Sequence, residues 1–282
     1  MPQTPPTVAV LTALPLEYAA VRSHLPQVEK LVHARYGTRA VRGPLPGSPW
    51  HIALLEIGEG TLTAAALTER VATWLEPRAV IFAGVAGGLK DDIGIGDVVV
   101  ATKVYGIHGG KQTPEGFLVR PEAWRAPHDL DQTAREALRG KAHFKPIAVG
   151  DVVLADASSA IAEHLRTHYN DAVAIEMEGS GVAHAAHLTG ELGALIIRGI
   201  SDRANPDKAA DDASGSQGLA AGNAAAAAVA VVREMVAPEV DAPDLTPGEA
   251  PLPRQYGGDH IDFSRGTFHG PVTGKTVNGP GA

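Results

Sequence analysis

The sequence predicts an α/β protein, a three-layer α/β/α sandwich around a mixed central β-sheet, followed by a Pro/Gly-rich flexible C-terminal tail. Three observations predict it. Short runs rich in Val, Ile, Leu and Ala recur between Val8 and Val236, the pattern of strands buried on both faces. Helical or loop segments separate most of these runs, which is the order of an α/β sandwich. Two runs end in carboxylates (Glu176 and Glu178 after one, Asp202 after the other), at the sheet edge where ligands bind in open α/β folds.

Val8 to Leu11 reads as the first buried strand. Pro15 suits the first turn of a helix that runs to about Leu25. Glu17 falls in that turn, where local sequence favours a carboxylate that simply answers the helix dipole. Residues 28–56 read as strands joined by a Gly/Pro loop, with Trp50 to Leu55 the clearest. Gly58-Glu59-Gly60-Thr61 leads into a helix from about Leu62 to Leu75, but it lacks the third glycine of a dinucleotide fingerprint and the Lys-Ser/Thr of a P-loop. Ala79 to Ala83 is a strand, and Gly84-Val85-Ala86-Gly87-Gly88 reads as its turn, either a tight connection or a wall of a ligand cleft. Val98 to Tyr105 is a strand, and residues 106–128 read as an irregular lid or insertion loop. A helix over Asp129 to Leu138, a strand at Ile147 to Val149 and a helix capped by Ser158 and running to about Tyr169 follow. His164 and His168 are spaced i, i+4 in the last of these; without the His-Glu-x-x-His order they read as solvent-facing rather than as metal ligands. A helix from Gly179 to Leu188 and a strand from Ala194 to Ile200 come next. The acidic loop Asn205 to Ala213 lacks the order of a calcium loop. An Ala-rich helix, capped by Ser214 or Ser216, reaches Val236.

The whole chain sets outer bounds. Its 282 residues suit one large α/β domain, and 44% hydrophobic content supports a sizeable core. A net charge of -8 without a basic run argues against a nucleic-acid binder. The absence of cysteine excludes disulfides and Cys-ligated zinc. No apolar run reaches bilayer length and residues 1–7 carry no positive n-region, so the expectation is a cytoplasmic chain with no membrane partner. The expected domains are a flexible N-terminus at 1–7, a catalytic domain at 8–237, a Pro-rich linker at 238–253 and a short tail motif at 254–282.

Glu17, Glu178 and Asp202 lie at three strand ends and form a candidate acid/base constellation. Carboxylates without a metal-binding pattern suit N-glycosidic cleavage, whose transition state is oxocarbenium-like. Glu178 suits a place beneath the ribose, accepting its hydroxyls and stabilising developing positive charge. Asp202 suits the purine side, as an acid that makes the base a better leaving group. Glu17 suits proton removal from water.

The segments Val173 to Gly179, Ile197 to Asp202, Gly84 to Gly88 and Ile95 to Val99 resemble the nucleoside phosphorylase superfamily, most closely its methylthioadenosine/S-adenosylhomocysteine nucleosidases. The resemblance covers Val8 to about Val236. It implies a homodimer or larger assembly, and release of adenine by water with neither a metal nor an organic cofactor. It also implies a site. Glu17 and Asp202 would be catalytic. Gly84, Val85, Val153, Leu154, Met177, Glu178 and Ser201 would bind substrate, with Met177 against the sugar, Ser201 steadying Asp202, and Val153 and Leu154 against the purine. Two positions depart from the family pattern, Val85 where Ser or Thr is usual and Val153 where Phe is usual. Lys111 and Arg120 read either as surface charge or as contacts to the 5′ end of a phosphorylated substrate, which leaves an adenine nucleotide open beside an adenine nucleoside.

Other readings stay open. Phosphorolysis needs a cationic phosphate pocket, and the loop Thr12 to Glu17 has no Arg before Arg22. A nucleoside-binding signalling module without turnover is a third class. The tail segments Gly257 to Phe263 and Gly266 to Val272 resemble amyloid-type signalling motifs of bacterial effectors, whose partner would be an NTPase-type receptor engaged by cross-β pairing. A merely disordered tail is the competing reading.

Overall fold

The computed structural model describes residues 5–114, 116–190, 192–204 and 215–237. Chain contacts divide the protein into two units, Met1–Pro238 and Glu239–Ala282. The second unit lies outside the described residues, as do the linker, the tail motifs and the acidic loop at 205–213.

Among the described residues ten strands form the main sheet: nine run in the order β11, β10, β6, β12, β5, β1, β4, β3, β2, and the tenth, β9, pairs with β6. Its centre is parallel: β1 (Thr7–Thr12) lies between β4 (His51–Glu56) and β5 (Ala79–Gly88), and β12 (Gly193–Asp202) runs beside β5. β2 (Glu29–Val32) and β3 (Arg39–Pro44) add an antiparallel edge. β6 (Val98–Gly106) is antiparallel to β12 and parallel to β10 (His143–Val149). The sheet is therefore mixed, as expected.

Strand β1 shows why the runs are continuously apolar. Val8 and Val10 face one core, and Ala9 and Leu11 face the other. Helices α1 (Pro15–Arg22), α3 (His128–Ala137) and α6 (Ser216–Glu234) cover the first core. Helices α2 (Thr61–Leu75) and α5 (Gly179–Thr189) cover the second. A smaller cluster packs under α4 (Ala160–His168). The Ala-rich composition of α6 has a packing cause. A Cβ on Gly199 of β12 would collide with the Ala220 backbone, so small residues on both elements allow close approach.

Several expectations are corrected. Gly84–Gly88 is not a turn: β5 continues through it, paired in parallel with β12 and, at Gly87 and Gly88, antiparallel to β11 (Ala174–Glu176). Because β11 also pairs with β10, this contact closes part of the sheet on itself. Residues 106–128 are not irregular. They hold the hairpin of β7 (Gly110–Thr113) and β8 (Gly116–Val119), then β9 (Glu122–Arg125) paired with β6. Helix α1 ends at Arg22 rather than Leu25. Helix α4 is capped by Ser159, whose side chain accepts from the Ala162 amide, rather than by Ser158. Helix α6 begins after Gly215, which sits in the left-handed region at φ 86° and holds the N-cap position expected of a serine, without a side-chain cap. His168 is exposed as expected, whereas His164 is only half-buried, its ring against Phe117 and its Nε2 3.2 Å from the Ile107 carbonyl.

Candidate active site

The closure of β11 onto β5 gathers the C-terminal ends of β5, β11 and β12 around one cavity of about 190 Å3. Glu17, Val85, Val153, Leu154, Met177, Glu178, Ser201 and Asp202 all line it. Gly84 lies behind the lining rather than in it. A Cβ there would collide with Nη1 of Arg198 and Oε1 of Glu17, so the glycine makes room for both. Glu176, Glu59 and Gln217 complete the polar lining. Lys111 and Arg120 do not line it.

Glu17 is 3% exposed. As the third residue of α1 it reaches back over Pro15, which has no amide hydrogen to offer, to the chain before the helix. Its Oε2 accepts from the amides of Ala13 at 2.8 Å and Leu14 at 2.9 Å. Its Oε1 accepts from the Val85 amide at 2.7 Å. The first-turn position read from the sequence is real, but the side chain also stitches β1, α1 and β5 together. Val85 contributes through its amide, a function independent of its side-chain type.

Glu176, Glu178 and Arg198 form a buried charge group. β11 ends at Glu176, and its carboxylate accepts from the amides of Glu178 at 3.1 Å and Gly179 at 2.8 Å, which fixes the turn into α5. Arg198, 1% exposed in the middle of β12, bonds Glu176 and lies 3.9 Å from Glu178. Its guanidinium also stands over the Phe82 ring, 3.9 Å from the centroid. Glu178 Oε1 accepts from the Gly60 amide at 2.9 Å. Burial, then the neighbouring Glu176 charge, push the Glu178 carboxyl from 4.5 up to about 7, against the opposing pull of Arg198. Thr61 donates its hydroxyl to the Met177 carbonyl at 2.7 Å, holding the loop between β11 and α5 against the start of α2.

At the other end, Asp202 is 2% exposed. Ser201 donates its hydroxyl to Asp202 Oδ2 at 2.8 Å, and the Ala204 amide donates to Oδ1 at 2.8 Å. Val153 is half open to solvent at the cavity mouth, and Leu154 is buried beside it.

The arrangement gathers carboxyl groups, of which Glu176 is paired with Arg198. Five carboxylates line the cavity, and no Lys, Arg or His does among the described residues. Such a site suits a reaction that develops positive charge on its substrate. Among the described residues no group of three His, Cys, Asp or Glu is placed to hold a metal.

Sequence reasoning left Glu176, Arg198, Glu59 and Gly60 without assigned roles. Arg198 had a visible signal, a lone cation inside an apolar strand that must find a buried anion. Glu59 and Gly60 had only a weak one, glycines ahead of a helix N-terminus, because the bond from Gly60 to Glu178 depends on the packing of α2 against α5.

Residues 7–237 match the family model described as the phosphorylase superfamily. Two relatives named 5′-methylthioadenosine/S-adenosylhomocysteine nucleosidase are similar. The one from Chromohalobacter salexigens is 30% identical over 213 residues, covering 71% of this chain and 86% of its own. The one from Desulfotalea psychrophila is 28% identical over 239 residues, covering 81% and 96%. The nucleosidase structure from Neisseria meningitidis, in complex with methylthio-immucillin-A, superposes with a TM-score of 0.70 at 26% identity, over 81% of this chain and 99% of that one. The futalosine hydrolase of Helicobacter pylori shares the fold, with a TM-score of 0.71 at 20% identity over 82% of this chain and 99% of that one.

Proposed function

The chain belongs to the phosphorylase superfamily, and from that premise we propose that it cleaves the N-glycosidic bond of an adenine nucleoside with water, releasing adenine. It is an enzyme of the N-glycosyl hydrolase kind, related to the nucleosidases just named. The observation that carries the reading is the cavity lining of five carboxylates without a cation among the described residues.

Each carboxylate has a chemical part. Glu178, held by Gly60, accepts the ribose hydroxyls and stabilises the sugar as positive charge develops. Met177 lies against the sugar. Asp202, oriented by Ser201 and the Ala204 amide, hands a proton to the imidazole nitrogen of the departing purine. Leu154 and Val153 cover the base. Glu17, fixed by three amides, accepts a proton from the attacking water. The products are adenine and the free sugar.

The same lining bears on the choice between substrate classes. A phosphate co-substrate would need cationic and amide donors. Here the amides of Ala13, Leu14 and Val85 already serve Glu17. A 5′-phosphate on the substrate would meet no Lys, Arg or His among the described lining residues, and Lys111 and Arg120 stand outside the lining. Water and an uncharged 5′ group are therefore favoured. The test is adenine release from methylthioadenosine, adenosine and AMP, with and without inorganic phosphate. Nucleoside turnover that ignores phosphate and exceeds AMP turnover is expected. Equal use of AMP, or formation of a sugar 1-phosphate, would overturn the reading.

A further inference from the structure

A second cavity of about 340 Å3 lies behind the catalytic one, and Leu154 belongs to both walls. Its character is reversed. Lys90, Arg166 and Arg203 line it, with Asp91 the one carboxylate among its described lining residues.

These cations differ in how far they are engaged. Arg166 is bonded to Glu163 and to the Ala157 carbonyl, each at 2.7 Å. Arg203 has a long contact of 3.5 Å to the Asp91 backbone carbonyl and forms no ion pair among the described residues. Lys90 likewise forms none, and both side chains are half-buried. Two cations without an ion pair among the described residues, lining one concave surface, raise the local concentration of anions.

The same wall holds a second, independent feature. Tyr169 is 2% exposed, and its hydroxyl is buried without a hydrogen-bond partner. A buried donor without an acceptor costs stability in the unliganded protein. A ligand with acceptor oxygens relieves that cost once the ring shifts enough to bring its hydroxyl, closed off from solvent here, to the cavity. A phosphoryl group has acceptors to spare and suits the planar fork of an arginine.

We propose that this cavity is a binding site for a small phosphoryl-bearing anion, separate from the nucleoside site, with Lys90 and Arg203 as its principal ligands and Arg166 and Tyr169 completing it. The site reaches the chemistry through a short connection. Ala204 lies in its wall, and the Ala204 amide donates to Asp202. An anion held by Arg203 therefore sits one residue from the proposed purine-side acid.

The probe is sodium pyrophosphate, titrated calorimetrically into the full chain at constant ionic strength. Saturable binding is expected. The Lys90→Gln and Arg203→Gln variants should each weaken it by about tenfold or more, the worth of a charge-assisted bond, and Tyr169→Phe by a smaller factor. Lys111→Gln/Arg120→Gln, which removes cations outside this cavity, should bind like the wild type. Circular dichroism on each variant separates loss of ligand from loss of fold. Absence of saturable binding, or binding that survives Lys90→Gln and Arg203→Gln, would overturn the proposal. So would binding that is lost only in the Lys111→Gln/Arg120→Gln control. None of these outcomes depends on turnover, so the hydrolase reading stands or falls separately.

Discussion

Arg198 bonds Glu176 and lies 3.9 Å from Glu178, so one buried guanidinium serves two carboxylates of different duty. Glu176 spends its oxygens on Arg198 and on the amides that open α5. Glu178 is left to face the cavity, with one oxygen held by Gly60.

Breaking that group from the cationic side leaves buried negative charge uncompensated. Arg198→Met should destabilise the protein by about 3–5 kcal/mol, the usual cost of removing one member of a buried pair. Denaturant unfolding checks this. Gly84→Ala should act in the same region, because its new Cβ would displace Arg198 and Glu17 together. A Gly84→Ala protein with wild-type stability and turnover would show that this crowding has no consequence.

Glu178 gives a pH dependence with a definite sign. In the folded chain it keeps its proton to about pH 7, whereas its unperturbed value is 4.5. Between those values the folded state binds more protons than the unfolded state, so this group makes stability fall as pH rises. Thermal melts at about pH 5 and about pH 8 should show a smaller loss for Glu178→Gln than for the wild type. Above about pH 7, where Glu178 is ionised, the same variant should turn over substrate more slowly than the wild type, since a neutral amide stabilises the sugar cation less. A variant with the wild-type pH slope would contradict the assignment.

Glu17 holds three amides from two segments. Glu17→Gln retains one acceptor oxygen and places an amide donor against a backbone donor. A stability loss of about 1–3 kcal/mol is expected, together with a turnover deficit of about 10²-fold or more. Full activity at reduced stability would make Glu17 a structural staple only.

Val153 stands half-exposed at the cavity mouth, where the family resemblance leads one to expect an aromatic ring. Val153→Phe should tighten adenine binding by about two- to tenfold through ring stacking. Its solvent exposure should leave stability nearly unchanged. Calorimetric titration with adenine measures the first, and thermal unfolding the second.

The sequence made the layers and the strand ends legible for a physical reason. Runs such as Val8 to Leu11 are apolar at every position because both faces are covered, and a carboxylate at the end of such a run has few structural excuses. The glycine stretch Gly84–Gly88 misled because glycine weakens a strand signal. Its small size serves close approach by Arg198 and Glu17, and pairing with β12 and β11 overrides its propensity. The hairpin at Gly110–Val119 was hidden by exposed, mixed-polarity strands that carry little alternation. Glu59 and Gly60 became visible only once α2 and α5 were packed together, since no local pattern ties them to Glu178.

The most direct measurement is the rate of adenine release from methylthioadenosine and adenosine in phosphate-free buffer, by the wild type and by Asp202→Asn. Asn keeps the shape of the side chain and cannot supply the proton. The account predicts release by the wild type and a fall of about 10²–10⁴-fold in the variant, with adenine binding retained. Equal turnover by the two proteins, or no release by the wild type from either nucleoside, would contradict it.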